Sequence, residues 1–196
     1  MVKLLVLLFA YFLGSIPTAY ILARYKGFDI RQKGSGNVGT TNAFRTMGVG
    51  PGILVLAIDV LKGAIPVIVG RKVGGDWLAA VAGLVAMAGH SWSVFLSFQG
   101  GRGVATAAGG FLALSPEALL CAVLVWLSVL FTTKYVSLSS VISAASAPFL
   151  VLLLQPSPGH FLFALVAGII IVYRHKPNIK RILAGTEPKV WQKSKT

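Results

Sequence analysis

Long apolar runs recur along this chain with only short polar breaks between them, and that pattern leaves little choice of environment. Seven runs can be delimited, at residues 2–23, 52–70, 77–98, 103–114, 118–133, 137–154 and 160–173. A chain that is 56% hydrophobic with a mean hydropathy of +0.80 lies far outside the range of soluble domains. The expected fold is therefore all-α: a polytopic integral membrane protein of about seven transmembrane helices, forming one domain over residues 1–196. Several runs fall short of the ~20 residues that a straight span needs, so tilted, re-entrant or neighbour-shielded helices are expected among them.

The first run invites comparison with a secretory signal, since Lys3 precedes it and small residues cluster at 14–19. The run continues to Ala23 and basic residues follow it, so a retained helix is the better reading. Pro17 predicts a kink there, with Ser15 and Thr18 expected to serve the carbonyls it frees.

Seven spans place the loops alternately on two sides, and the basic residues divide between those sides. One side carries Arg24, Lys26, Arg31, Lys33, Arg45, Arg102, Lys134, Arg174, Lys176, Lys180, Arg181, Lys189, Lys193 and Lys195; the other carries Lys3, Arg71 and Lys72, with Lys62 inside a run. The positive-inside rule then predicts an external N-terminus and a cytoplasmic C-terminus. Topology and anionic lipid account for the net charge of +13, and no nucleic-acid-binding module accompanies it. The single cysteine, Cys121, sits inside an apolar run, has no partner for an intramolecular disulfide, and reads as a small buried hydrophobe.

On that topology the chemically unusual loops all fall on the cytoplasmic side. The segment Gly34-Ser35-Gly36-Asn37-Val38-Gly39-Thr40-Thr41-Asn42-Ala43-Phe44-Arg45 combines glycines, hydroxyls, amides and an arginine. Loops of that composition hold anions, because glycine lets successive N–H groups converge and arginine offers a fork suited to phosphate. Gly100-Gly101-Arg102-Gly103, opening an apolar run, is a second candidate anion site through its backbone amides and the helix N-terminus. Neither loop has Walker A spacing or a dinucleotide-binding context, and a tight turn between membrane helices is the plain alternative for each alone. Two such loops on one face, each with an arginine, favour binding. The external connections at 71–76, 115–117 and 155–159 read as ordinary turns.

Asp59 and Lys62, three apart within the second run, read as a buried structural ion pair rather than as catalysts. His90 precedes the second glycine loop and is either a base or a helix histidine bonded to a neighbour. His175 is the better functional candidate, since it lies in a basic juxtamembrane stretch with Asn178 on the same helix face. Lipid contact explains some of the lysines there, and His160, at the external end, is assigned no role. Five acidic residues and three histidines, all dispersed, offer neither a magnesium cluster nor a zinc site nor a Ser-His-Asp set. No metal and no cofactor are expected, and the substrate should arrive already activated.

These motifs together resemble the bacterial acyl-phosphate:glycerol-3-phosphate acyltransferase family, integral membrane enzymes that begin phospholipid synthesis. The resemblance covers nearly the whole chain: Gly14-Ser15-Ile16-Pro17, the Gly34-to-Asn42 run with Arg45, Asp59-x-x-Lys62-Gly63, Gly89-His90, Gly100 to Thr106, Ser139-Ser140, and Arg174-His175-x-x-Asn178-Ile179-x-Arg181 with Gly185-Thr186-Glu187. It departs at Arg102, where the family commonly has lysine, and at Gln99, where lysine is frequent. Arg102 keeps the charge but not the ammonium geometry.

The resemblance implies acyl transfer from an acyl phosphate to the 1-hydroxyl of glycerol 3-phosphate, giving lysophosphatidic acid and phosphate, in a multi-pass protein of the bacterial cytoplasmic (inner) membrane with its site facing the cytoplasm. It also implies the roles. Ser35, Arg45, Arg102, His175 and Asn178 would be catalytic. Gly34, Gly36, Asn37, Gly39, Thr41, Asn42, Gly101, Gly103, Ser139 and Ser140 would join them in binding substrate, with Asp59, Lys62 and His90 in support. The donor phosphate is expected on the Ser35-to-Asn42 loop, and glycerol 3-phosphate among Arg45, Arg102, Ser140, His175 and Asn178. The His-x-x-x-x-Asp signature of soluble-type acyltransferases is absent, since Phe95 stands five after His90. A phosphate oxygen of the donor is therefore expected to take the hydroxyl proton. The rival reading is a transporter of phosphate esters; the lack of an internal repeat and the one-sided motifs count against it.

Overall fold

The computed structural model describes residues 1–190, so Lys193 and Lys195 of the basic tail lie outside it. Its regular elements are all helical: α1 (Val2–Ser15), α2 (Thr18–Tyr25), α3 (Thr40–Met47), α4 (Val49–Ser91), α5 (Val104–Leu114), α6 (Pro116–Thr133), α7 (Val136–Leu154), α8 (Pro158–Arg174) and α9 (Lys176–Leu183), with short 3-10 turns at Ile30–Gln32 and Val94–Leu96. Four helical stretches are long and apolar enough to cross a membrane, or five if α8 and α9, bent by 52°, count as one broken span. The run expected as a fourth span is the 11-residue α5, about 17 Å long, well short of a ~30 Å hydrocarbon core.

α4 is a hairpin rather than a rod. Its helical geometry breaks at Gly74 (φ −154°, ψ 21°) and Gly75 (φ 72°, ψ −167°), the latter a conformation that only glycine adopts easily. The arms at 49–73 and 76–91 then fold back on each other, so Gly70 backs onto Leu78 and Ala79, and Gly83 faces Val67. Small residues permit this close approach throughout: Gly14 and Gly89 seat α1 on the returning arm, while Gly63 and Gly109 seat α5 on the outgoing one. Phe163 of α8, fully buried, fills the centre, edge-on to Phe111 at 5.0 Å and against Gly83 and Gly110.

The first run breaks at Ile16 and Pro17 as expected, but its freed carbonyls are served from elsewhere. Lys62 Nζ donates to the Ile16 carbonyl at 3.0 Å and Ser93 Oγ to that of Ser15 at 2.6 Å. Thr18 Oγ1 instead donates to Asp59, and the buried Ser15 hydroxyl has no partner among the described residues. The break faces α4 and the turn that follows it, so Lys62 and Ser93 reach the carbonyls where the local hydroxyls do not. The third run also ends early, at Ser91, where the chain turns through Val94–Leu96 and left-handed Ser97 and Phe98.

Candidate active site

Three segments converge at one end of the helices. The first is the loop between Ile30–Gln32 and α3, folded around one side chain. Asn42, 1% exposed in the first turn of α3, donates through Nδ2 to the carbonyls of Ile30 (3.3 Å), Lys33 (3.0 Å) and Asn37 (2.9 Å). Its Oδ1 accepts the Ser35 N–H at 2.9 Å. Asn42 thus points into the loop it fastens. Gly34 and Gly36 take left-handed φ values of 61° and 71°, and a Cβ at Gly34 would overlap the Asn42 amide. With Ser35 and Gly36 amides engaged, those of Asn37, Val38 and Gly39 have no acceptor among the described residues, and the first turn of α3 adds its own unpaired N–H groups. That is an anion nest of backbone donors.

The second glycine loop is built otherwise. Its expected backbone donors at Gly100 and Gly101 are already engaged, with the carbonyls of Ser91 (3.2 Å) and His90 (3.0 Å). The loop pairs back onto the end of α4, through contacts between residues nine and eleven apart that spacing alone does not announce. Arg174, the last residue of α8, locks it: Nε donates to Gly101 O at 3.1 Å and an Nη to Gly100 O at 2.8 Å, with the guanidinium 5.6 Å over the Trp92 ring. What the loop presents is Arg102. Its half-buried guanidinium has no hydrogen bond or ion pair with any described residue. Burial lowers its pKa to about 10 and the positive charges of Arg181, Arg174 and Arg45 push the same way, against the pull of Glu187. A counter-anion would relieve that arrangement.

The third segment is the corner between α8 and α9. His175 Nδ1 lies 2.7 Å from the Ile171 carbonyl, which can only accept, so Nδ1 carries the proton and Nε2 is left as an acceptor. Burial, with Arg102 and Arg174 adding to it, lowers the His175 pKa to about 4, so the ring is neutral. Asn178 Nδ2 donates to Glu187 Oε1 at 2.7 Å, which fixes the amide and leaves its buried Oδ1 without a partner among the described residues. Glu187 also accepts from Ser137 Oγ (2.7 Å) and Arg181 Nε (2.7 Å). Although burial raises the Glu187 pKa, these three hydrogen bonds lower it by more, so the carboxylate stays ionised.

Between these segments lies a cavity of about 480 Å³, lined by Ser35, Gly36 and Asn37 on one wall and by Arg102, Tyr173, Arg174, Lys176, Pro177 and Arg181 on the other. A second cavity of about 390 Å³ adjoins it, lined by Arg31, Gly36, Asn37, Val38, Phe98, Gln99, Gly100 and Arg174. Gly36, Asn37 and Arg174 belong to both. Five cationic side chains and no carboxylate line the pair, a surface made for anions. Arg31 is oriented by a 2.6 Å ion pair with Asp29, whose pKa that hydrogen bond lowers to about 2.

Beneath both glycine loops sits a buried polar network. Asp59 and Lys62, each 2% exposed, pair at 2.7 Å. Asp59 Oδ1 also accepts from Thr18 Oγ1 at 3.2 Å, and its Oδ2 from Thr40 Oγ1 at 3.4 Å. His90 Nδ1 lies 4.0 Å from Oδ1, and a Cβ at Gly101 would overlap the His90 ring.

Of the residues singled out from sequence, Ser35, Gly36, Asn37 and Arg102 line the first cavity. His175 and Asn178 are buried at the adjoining corner. Gly34, Gly39, Asn42, Gly101 and Gly103 shape the loops without lining either cavity, and Thr41 and Arg45 share an exposed face of α3. Ser139 and Ser140 donate to carbonyls of their own helix at 2.8 and 2.9 Å, and Ser140 also accepts from Trp126 Nε1 at 3.2 Å. Sequence reasoning passed over Arg174, Lys176, Arg181, Tyr173 and Glu187 as site residues. The available signal was Glu187 itself, the sole acid in a basic tail.

A family model described as glycerol-3-phosphate acyltransferase matches residues 4–185. Similar curated proteins carry that description too. "Glycerol-3-phosphate acyltransferase 2" of Moorella thermoacetica is 54% identical over 192 residues, covering 97% of this chain and 99% of its own. The Geobacter sulfurreducens protein is 47% identical, covering 91% and 92%. Among solved structures, the chain is similar to PlsY (YgiH), an integral membrane glycerol 3-phosphate acyltransferase. The match to its glycerol 3-phosphate form has a TM-score of 0.93 at 41% identity, covering 96% of each chain. The match to its lysophosphatidic acid form has a TM-score of 0.90 at 40% identity, covering 96% and 95%.

Proposed function

Because the chain belongs to the glycerol-3-phosphate acyltransferase family, we propose that it acylates the 1-hydroxyl of glycerol 3-phosphate from an acyl phosphate donor, releasing lysophosphatidic acid and inorganic phosphate. It is a multi-pass membrane acyltransferase. The observation that carries the donor assignment is the pair of adjoining cavities sharing Gly36, Asn37 and Arg174, because two phosphate-bearing reactants need two anion sites in contact. The amide nest at 37–41, with Ser35, receives the donor phosphate. Arg102, Arg181 and the His175–Asn178 corner receive glycerol 3-phosphate, whose hydroxyl suits the fixed acceptor Asn178 Oδ1. Arg45, on the exposed face of α3 and near enough to act on Arg102, adds to the attracting field.

Chemically, the glycerol hydroxyl oxygen bonds to the acyl carbon, the carbon–oxygen bond to phosphate breaks, and the hydroxyl proton leaves with the phosphate. A neutral His175 with a pKa of about 4 is a poor base near neutrality. A donor phosphate oxygen is the better one, because its basicity rises as the carbon–oxygen bond breaks and the group leaves as inorganic phosphate. The mixed anhydride is already activated, so positioning and charge neutralisation supply the acceleration, and neither metal nor cofactor is required. We read the whole as seven helices, with α4 contributing two, the N-terminus external and the site facing the cytoplasm of a bacterial inner membrane. The cluster of arginines and lysines at the cavity end supports that orientation.

The test is phosphate release by purified protein given palmitoyl phosphate, with and without glycerol 3-phosphate and with EDTA. Release that requires glycerol 3-phosphate, survives EDTA and yields lysophosphatidic acid is expected; no release under any condition would favour transport of phosphate esters.

A further inference from the structure

We propose that Asp59 is a positioning residue that sets the spacing between the two anion loops, and so governs turnover rather than substrate binding. The inference rests on the acyltransferase reading above. Each loop holds its own shape without the network below it. Asn42 fastens the first through four hydrogen bonds, and Arg174 with the His90 and Ser91 carbonyls fastens the second. Neither set of bonds fixes one loop relative to the other.

Asp59 joins them from beneath. Oδ2 accepts from Thr40, the first residue of α3 and the one that follows Gly39 at the end of the first loop. Oδ1 faces His90 Nδ1 at 4.0 Å, and His90 in turn supports the second loop twice, by accepting the Gly101 N–H at its carbonyl and by backing Gly101 with its ring. Lys62 neutralises the carboxylate at 2.7 Å and ties it to the Ile16 carbonyl freed at Pro17, while Thr18 ties it to α2. A buried carboxylate held by so many donors has one position, and both loops are referred to it. The distance from the donor's acyl carbon to the acceptor hydroxyl depends on that reference, and a displacement of ~1 Å costs on the order of 100-fold in rate.

A loosened network therefore leaves both binding sites formed and misaligns them. The experiment compares wild type, Thr40→Val, Thr40→Ser and Asp59→Asn in detergent with palmitoyl phosphate and glycerol 3-phosphate. It measures kcat, both KM values, and the share of donor lost to water instead of glycerol 3-phosphate. Thr40→Val should lower kcat about 10-fold, leave both KM values within about twofold and raise the hydrolysed share; Thr40→Ser should restore kcat, and Asp59→Asn should exceed Thr40→Val in effect. An unchanged kcat in Thr40→Val, a loss confined to KM, or a Thr40→Ser variant as slow as Thr40→Val overturns the proposal. Thr40→Val decides the matter even where Asp59→Asn fails to accumulate. A wild type that transfers no acyl group would instead sink the parent reading.

Discussion

The two glycine loops look alike in sequence and are constructed on opposite plans. The loop at 34–39 is fastened by one inward side chain, Asn42, and keeps its later amides free for a ligand. The loop at 100–103 engages its Gly100 and Gly101 amides with the end of α4, takes its shape from Arg174, and offers a side chain, Arg102, beside the remaining amides of Arg102 and Gly103. Composition alone predicts anion binding for both. The difference teaches that a glycine-rich loop binds through whatever its own folding leaves over: a run of backbone amides in one case, chiefly a guanidinium in the other.

That contrast can be broken most forcefully at Asn42. Asn42→Ala strands three carbonyls and one N–H at once, so acyl transfer should fall by at least about 100-fold and stability by roughly 1–3 kcal/mol, read by activity and thermal melting in detergent. Next in size is Arg102→Ala, expected to cost about 100-fold in kcat/KM with little change in melting temperature, since Arg102 has no bond to any described residue to lose. Arg102→Lys should recover most of that activity with a raised KM for glycerol 3-phosphate, because the charge returns without the fork. Arg174→Gln should fall between wild type and Arg102→Ala, about 10-fold, since it loosens the frame around Arg102 and keeps Arg102 itself.

The smallest effect concerns pH. The folded His175 pKa, about 4, lies below the ordinary histidine value of 6.5. As pH falls through 6.5 the unfolded chain binds a proton that the folded chain refuses, so stability declines from there down to about pH 4. Melting temperature measured across that range should slope downward with acid, and His175→Gln should flatten the slope.

Much of this was legible from residues alone. Apolar runs gave the all-helical membrane class, and the Asp59–Lys62 spacing gave a buried pair, here 2.7 Å apart. What stayed hidden depends on long-range partners. Nothing local reveals that Asn42 would turn inward to carbonyls at 30, 33 and 37, or that Gly100 and Gly101 would donate to the last turn of α4. Arg174 and Arg181 read as two more charges in a basic stretch until the corner at His175 aims them at the cavities. The break at Pro17 was predictable, but not that Lys62 and Ser93 would cross from elsewhere to complete it.

The α4 hairpin carries a consequence for biogenesis. Its arms are joined by two glycines with no slack, and each arm's small residues are shaped to the other. The outgoing arm already finds α1, α2 and α3 waiting for it through Lys62 and Asp59, but the face it shares with the returning arm is filled only when both arms have left the ribosome. On the seven-helix reading proposed above, the hairpin begins and ends on the same side of the bilayer, so adding or removing it as a whole would leave the sidedness of every later segment unchanged.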